Sequence, residues 1–396
     1  MSSPNQRRPS GRASVPGRSA PSSREAAPGP RTTGTYGTPR KGPKPRWDRI
    51  ALVVVLALAL CAGVGGIGLW LYGKSIEGDL ERTDPFSSLT KGRPPETAQG
   101  VQNILLVGTD LADPDSPADD PGQARTDTII LMHIPSTQDR AYLVSMPRDL
   151  WVSVPQKATD TECGSRRAKI NAAYAWGDLP LLVKTVECFT SVRINHVVQI
   201  DFGGFKQVVD ALGGIDMPIE RDITSIHPPY REFKKGTMHL NGAEALDYTR
   251  QRKQFPDGDF ARMRHQQQLL KIMLDKAAST ETLTNPVKFN KFVQAVTKAV
   301  KVNKEFKLID MAIQFRGLRS DDLTFMTSPF TGTDEIDGQS VVLSDRPKAI
   351  ALYNAIAADK MAEWVGANVS PSPTAKAASA PRHRSGIALV SPIDRQ

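Results

Sequence analysis

Arg125, Arg148, Arg250, Arg252 and Arg262, interleaved with Asp110, Asp127, Asp149 and Asp259, are the residues whose types could do chemistry in this chain. A guanidinium presents a planar fork of N–H donors that binds phosphate oxygens in pairs. Held away from water, it stabilises charge developing on a phosphoryl leaving group. Carboxylate oxygens are hard ligands suited to Mg2+, which bridges phosphate oxygens. Arginines among aspartates can therefore serve a phosphate ester, although such a cluster taken alone is more often a solvated, salt-bridged face. The densest stretch, DYTRQRKQFPDGDFARMRHQQQLL at 247–270, sets Arg250, Arg252, Lys253, Arg262 and Arg264 among three carboxylates. Such a stretch can grip a nucleic-acid backbone, decorate a solvated helix, or hold another kind of phosphate.

The distribution of charge weakens the first of these. The chain has a pI near 9.4 and a formal charge of +9. Residues 1–49 carry eleven Lys/Arg against Glu25 and Asp48, so the remaining residues are neutral overall. The globular part thus has no bulk attraction for polyanions. The basic tail 1–49 is rich in Pro, Ser, Gly and Arg and is expected to be disordered, because it has too little apolar surface to offset the entropy of ordering.

Ile50–Tyr72 follows as an uncharged run. Its 23 residues reach about 34 Å as a helix, enough to cross a hydrocarbon core of about 30 Å. Trp47 flanks one end, with Trp70 and Tyr72 at the other, as interfacial anchors would. RKGPKPRWDR before the run, against GKSIEGDLER after it, orients the tail to the cytoplasm and the rest outside. No small-x-small cleavage site follows Tyr72, so an uncleaved signal anchor is expected in a bacterial cytoplasmic membrane, crossed once. Cys163 and Cys188 fall in the exported part and are a candidate disulfide. The six histidines show no HExxH spacing and no CxxC exists, which argues against a zinc enzyme.

The elements that must position the arginines can be read from apolar patterning. NILLVG (103–108), DTIILMHI (127–134) and AYLVSM (141–146) are short apolar runs, as strands buried on both faces would be. LPLLVKTVECFT predicts a helix, HVVQIDF a strand, FKQVVDALGG an amphipathic helix, and IDMPI a further strand. Helices are predicted near 286–301 and 305–316, a strand near LTFMTSPF, and a helix over RPKAIALYNAIA. The alternation predicts an α/β fold, a three-layer α/β/α sandwich with a central, mostly buried mixed sheet, behind one N-terminal transmembrane helix. The expected organisation is a tail at 1–49, the anchor at 50–72, a stalk at 73–99, a catalytic domain at 100–362, and a disordered tail at 363–396.

Asp110, Arg125 with Asp127, and Arg148 with Asp149 fall at ends of predicted strands, where α/β folds place ligand sites. In the 247–270 stretch Asp259 is expected to cap a helix starting at Phe260. Its buried stripe would be Phe260, Met263, Leu270, Leu274 and Ala277. Arg262 and Gln266, four apart, share a flank, and Arg264 lies round the helix from them. Arg250, Arg252 and Arg262 can therefore converge, while Arg264 and Lys253 read as surface charge. The loop LADPDSPADDPGQA reads as solvated and lacks the Gly and Glu positions of a calcium-binding EF-hand.

NILLVGTD, ARTDTIIL, SMPRDLWV, KINAAYAWG, DFGGFKQVVDALGGI, LNGAEALDYTRQR and DFARMRHQQQ occur in this order over about Val101 to Ala277. The series resembles the LytR-CpsA-Psr family of cell-envelope proteins. The resemblance implies a membrane-anchored phosphotransferase that moves a glycopolymer from a polyprenyl-pyrophosphate carrier to peptidoglycan, leaving a phosphodiester. By motif, it implies that Asp110 and Asp127 coordinate Mg2+. Arg125, Arg148, Arg250, Arg252 and Arg262 would contact pyrophosphate, with Asp259, Gln266 and Asp149 in support. An apolar tunnel for the polyprenyl chain would be lined from the FKQVVDAL and LLKIML helices. The chain departs from the family at His265, where Arg is frequent, and at Ala261 and Asp178, where Gly is frequent; His265 would lower the charge at the rim or face solvent. Transcriptional control through the basic tail and non-catalytic binding of a polyprenyl phosphate remain as alternatives, as does simple pyrophosphate hydrolysis.

Overall fold

The computed structural model describes residues 80–89, 91–110, 126–314 and 318–368, together with Gly78. The expected tail and anchor at 1–72, Arg125, the acidic loop, and residues beyond 368 lie outside the described residues. Among those described, no helix is long and apolar enough to cross a membrane.

The chain order is β1 (Glu81–Thr83), β2 (Gln102–Thr109), β3 (Thr126–Ile134), β4 (Ala141–Met146), β5 (Trp151–Ser153), β6 (Arg167–Lys169), α1 (Ile170–Thr190), β7 (His196–Asp201) and α2 (Phe202–Ala211). Next come β8 (Ile215–Ile219), β9 (Ile223–Thr224), β10 (Glu232–Phe233), β11 (Gly236–Leu240), α3 (Gly242–Arg250), α4 (Asp259–Ala277), α5 (Thr280–Thr284) and α6 (Pro286–Ala299). The rest is β12 (Val300–Asn303), α7 (Leu308–Gln314), β13 (Leu323–Thr327), β14 (Phe330–Ile336), β15 (Gln339–Ser344), α8 (Arg346–Ala357) and α9 (Met361–Asn368).

A mixed seven-stranded sheet, ordered β1-β12-β7-β2-β3-β4-β13, forms the centre. Its strands read as continuous apolar runs because both faces are covered. Leu105, Val107, Ile129, Leu131 and Val144 point to one face, where Leu182 and Val186 of α1 and Leu352 and Ile356 of α8 close the core. Ile104, Ile130 and Leu143 point to the other, where Leu270 of α4 packs. A smaller core under β8, α3 and α4 gathers Ile215, Met217, Phe233, Tyr248, Ala261 and Leu269. IDMPI is a strand as expected, but β8 pairs with β11 in a separate ribbon. Where α2 crosses α6, only glycine fits at 204: a Cβ there would lie 2.7 Å from the Ala299 Cβ.

Several boundaries differ from expectation. Residues 80–99 are not a bare stalk. β1 pairs in parallel with β12 at the sheet edge, Leu89 is buried, and Arg93 holds the buried Glu187 at 2.6 Å. The apolar residues there are too few to show a period, and β1 finds its partner more than two hundred residues away. The predicted LPLLVKTVECFT helix is only the second part of α1, which starts at Ile170 and breaks at Gly177 and Asp178. LTFMTSPF divides: β13 joins the sheet, while Phe330 opens a β14–β15 hairpin turned by Asp337-Gly338, both at positive φ. Helix continues to Asn368 rather than stopping before 363, with Trp364 and Val365 against the core. Cys163 and Cys188 are disulfide-bonded, 25 residues apart; closing that loop contributes about 3 kcal/mol in the chain-entropy view.

His133 on β3 carries a pH prediction. Asn103 Nδ2 donates to the Arg193 carbonyl, so Asn103 Oδ1 is the acceptor for His133 Nδ1–H at 2.8 Å. The ring's Nε2 is then an acceptor, 3.4 Å from Asp359 Oδ1. Burial pushes the imidazole from its usual 6.5 down to about 4, against the opposing pull of Asp359. Between those values the unfolded chain binds a proton that the folded chain excludes, so stability falls on acidification, by up to roughly 3 kcal/mol from this residue. Burial shifts His196 and His265 the same way. Denaturant unfolding at about pH 7.5 and about pH 5 is expected to show the loss, and His133→Gln to make it smaller. A loss as large in the variant would place the titration elsewhere.

Candidate functional site

Sheet register brings the separated motifs together. β2 and β3 are antiparallel neighbours with Thr109 opposite Thr126, so Asp110 and Asp127 fall at one end of the sheet. β4 runs antiparallel to β3, with Met146 opposite Ile129, and delivers Arg148 to the same end. β7 is parallel to β2 and ends there in Asp201, whose carboxylate caps α2 by accepting from the Gly204 N–H at 2.7 Å. α3 ends at this place with Arg250, and α4 begins there with Asp259. Arg125 lies outside the described residues.

Asp127 accepts a hydrogen bond from Arg148 and lies 3.8 Å from Arg262 Nη1. Arg262, 4% exposed, makes its main pair with Asp259, its Nη2 at 2.8 and 2.9 Å from the two oxygens. Arg252, at the rim, reaches within 3.8 Å of the same carboxylate. Asp149 sits 3.6 Å from Arg148 Nε and 3.1 Å from Lys169 Nζ. Burial alone would raise the Asp127 pKa, but the Arg148, Arg262 and Arg250 guanidiniums outweigh it and hold the carboxyl below its ordinary value. Burial and the neighbouring Arg148 push Arg262 the other way, toward losing its charge, though Asp259 and Asp127 oppose them. A guanidinium stays charged under such pressure, so the site carries concentrated positive potential. The Nε atoms of Arg148 and Arg262 are buried without a hydrogen-bond partner. Unmet donors on buried cations call for an added acceptor.

Directly beside them lies a cavity of about 260 Å³. Asp127, Arg250, Arg262 and Gln266 form its charged end; Leu106, Val198, Ile200, Phe205, Leu270 and Met273 are among its apolar walls. The sheet floor explains the space. Val197 and Gln199 of β7 are buried in the closed core, while Val198 and Ile200 on the opposite face are only half-buried. Phe205 comes from the FKQVVDAL helix and Leu269, Leu270 and Met273 from the LLKIML segment, the two expected to supply lining.

The 247–270 stretch sorts as geometry allows. Arg250 lies over the Phe202 ring at 4.8 Å and lines the cavity with Arg262 and Gln266. Arg264 is half-exposed and pairs with Asp257 and Glu220, and Lys253 is exposed. Three expectations need correction. Asp259 is not the helix cap: Gly258 holds that position, and the Asp259 carboxylate turns to Arg262. The buried residues of α4 are Ala261, Arg262, Met263, His265 and Leu269, because the helix is wedged between the sheet and the smaller core. His265 is wholly buried rather than at the rim, its ring 4.7 Å from both Tyr248 and Phe255.

Residues that sequence reasoning did not single out hold the arginine loop in place. Buried Gln251 donates to Ser225 Oγ at 2.8 Å and to Asp247 Oδ1 at 2.6 Å, and Asp247 also accepts from Ser225 Oγ and pairs with Arg231. Their sequence spacing carries no period, and Ser225, directly after β9, stands 22 residues before Asp247, so only the fold reveals the network. Among the described residues no cluster of three or more His, Cys, Asp or Glu could hold a metal. Asp110 and Asp127 stand at adjacent strand ends, and carboxylates are donors of the kind Mg2+ takes, but the Asp127 carboxylate also accepts from Arg148.

A family model described as the LytR_cpsA_psr family matches residues 71–357. The Bacillus subtilis (strain 168) protein named polyisoprenyl-teichoic acid–peptidoglycan teichoic acid transferase TagV is 35% identical over 263 residues, covering 64% of this chain and 63% of TagV. The Bacillus anthracis transferase of the same description, TagU, is 33% identical over 215 residues, covering 54% of this chain and 64% of TagU. The chain thus spans a little under two thirds of the length of these relatives. The crystal structure of B. subtilis TagV is similar with a TM-score of 0.55 and 28% identity, covering 67% of this chain and 98% of that one.

Proposed function

The chain belongs to the LytR_cpsA_psr family, and from that footing we propose that it is a phosphotransferase attaching a glycopolymer from a polyprenyl-pyrophosphate carrier to peptidoglycan. The observation that carries this reading is the apolar cavity ending at Arg250 and Arg262, where the buried Arg262 Nε has no hydrogen-bond partner. A lipid pyrophosphate has the complementary form, a hydrocarbon chain joined to a dense anion. The names of the relatives, which specify polyisoprenyl-teichoic acid and peptidoglycan, support the same substrates.

In the proposed reaction a sugar hydroxyl of peptidoglycan attacks the phosphorus that bears the glycopolymer. A new P–O bond forms, the bond to the bridging oxygen breaks, and polyprenyl phosphate leaves with the electron pair, while the hydroxyl proton passes to the released phosphate or to solvent. Arg148, Arg250 and Arg262 stabilise charge on the leaving phosphate, with Arg252 at the rim and Arg125 assigned by motif. Asp259 fixes the Arg262 fork, Asp149 restrains Arg148, and Gln266 extends the polar lining. Asp110 and Asp127 would hold Mg2+, which supplies Lewis-acid neutralisation of phosphate oxygens. Ile50–Tyr72 would anchor the protein in the cytoplasmic membrane with the domain outside.

The test is transfer by the full-length protein from a donor labelled with 32P in its pyrophosphate to a glycan acceptor. Label in a glycan phosphodiester is expected. Label in a free glycopolymer phosphomonoester, with none joined to the acceptor, would replace transfer with hydrolysis, and bound donor without turnover would make the protein a carrier-binding protein.

A further inference from the structure

A second cavity lies beyond the arginine site and has different chemistry. Its volume is about 430 Å³, and Gln156, Asp160, Thr161, Glu162, Ser165 and Arg166 supply a polar lining. At its margin stands Trp176, the exposed tryptophan among the described residues, with 48% of its surface open. Arg166 Cζ lies 3.7 Å from the centre of the Trp176 ring and so covers one face of the indole, and its Nη2 also reaches the Pro155 carbonyl. We propose that this cleft and the open face of Trp176 bind a saccharide chain, the stretch of glycan that presents the acceptor hydroxyl to the arginine site.

Two independent features support a sugar. A glycan offers an apolar C–H face and a ring of hydroxyls. The indole matches the first, and the amide, hydroxyl and carboxylate groups of the cleft match the second. An exposed tryptophan held flat by a guanidinium is rigid before any ligand arrives, which lowers the entropy lost on binding.

Placement supports an acceptor role. β5 and β6 leave the arginine site as a hairpin: Trp151 follows Arg148 and Asp149, and Lys169 at the other strand's end pairs with Asp149. The cleft begins where the hairpin opens, at Val154 and Arg166, each three residues from Trp151 and Lys169 and thus about 10 Å along extended strand from them. Trp176 lies six residues into α1 from Ile170, about 9 Å along the helix axis. The cleft is tied by the Cys163–Cys188 disulfide to the body of α1. Just past Trp176, Asp178 holds φ 54 and ψ −158, a region that essentially only glycine occupies at ease. That strained residue breaks α1, ending its first segment at the indole. The same segment carries Tyr174, whose hydroxyl accepts from Gln199, and Gln199 also donates to Thr109 beside Asp110. The indole platform and the proposed metal carboxylate therefore share one hydrogen-bonded support.

The acceptor role rests on the phosphotransferase reading; saccharide binding does not. The experiment measures binding of a β-1,4-linked N-acetylglucosamine tetramer to the full-length protein by calorimetry, with wild type, Trp176→Ala, Trp176→Phe and Arg262→Ala compared. Wild type and Arg262→Ala are expected to bind alike, Trp176→Phe to bind within a few-fold, and Trp176→Ala to bind at least about tenfold more weakly with an unchanged melting curve. No binding by wild type, or equal binding by Trp176→Ala, overturns the proposal. Loss of donor turnover is scored separately in Arg262→Ala, so the failure of one reading is not mistaken for the failure of the other.

Discussion

Arg262→Ala is expected to slow transfer from a polyprenyl-pyrophosphate donor by about 10²–10³-fold, the usual consequence of removing one preorganised donor from a developing oxyanion. Its side chain is 5% exposed, lies 2.8 Å from Asp259, and lines the charged end of the cavity. Removing it also leaves the Asp259 carboxylate with Arg252 at 3.8 Å as its nearest cation. Breaking a buried pair from one side costs about 3–5 kcal/mol, so lost activity alone would not establish a catalytic role. The double variant Arg262→Ala with Asp259→Ala separates the two effects. Removing both partners leaves no isolated charge, so stability is expected to recover in part while the rate does not. Arg262→Lys sharpens the test, because it keeps the charge and loses the fork. Its rate is expected to stay well below wild type. Recovery of both stability and transfer in the double variant would reduce Arg262 to a structural ion pair.

Leu106→Trp is the second change with a large expected effect, and it addresses the apolar half of the site. Leu106 stands mid-strand in β2, paired on both sides, and its half-buried side chain lines the cavity rather than the closed core. The backbone cannot retreat there, so an indole must project into a space of only about 260 Å³. A donor with a long polyprenyl chain is expected to bind at least about tenfold more weakly, while an analogue with one or two isoprene units binds nearly as to wild type. The stability change is expected to be small, because the added atoms enter space and not a packed neighbour. Competition binding against both chain lengths is the measurement. Equal losses for the two would mean that the cavity does not house the chain.

The 247–270 stretch shows how far reading the sequence could go. The four-residue spacing of Arg262 and Gln266 placed them on one flank, and both line the cavity. Arg264, well round the helix, was legible as surface charge and is half-exposed. The Asp259 cap was wrong because Gly258 adopts a positive φ and starts the helix a residue early. Of the expected stripe Met263 is buried and Phe260 and Leu270 are packed in part, but Ala261, Arg262, His265 and Leu269 were missed because α4 touches two cores at once, and one apolar periodicity cannot describe a helix buried on two sides. The burial of His265 was not legible because a polar residue gives no signal of it when its partners, Tyr248 in α3 and Phe255 in the loop after it, lie earlier in the chain.

What the sequence determined by itself is local and one-dimensional. Strands buried on both faces leave unbroken apolar runs, so β2, β3 and β4 could be placed nearly to their observed ends. Charge is additive along a chain, so the segregation of the basic excess before residue 50 needed no structure. Ordered motif blocks carried the family. Only the tertiary structure decided what depends on register and on spacing between layers. Pairing of β2, β3, β4 and β7 brings Asp110, Asp127, Arg148 and Asp201 to one sheet end, and no local pattern encodes those partners. Leucines and valines that fill a core are chemically the same as those that line a cavity. What separates them is how far α2 and α4 stand from the sheet, and contacts distant in sequence, such as Gly204 against Ala299, help to set that distance.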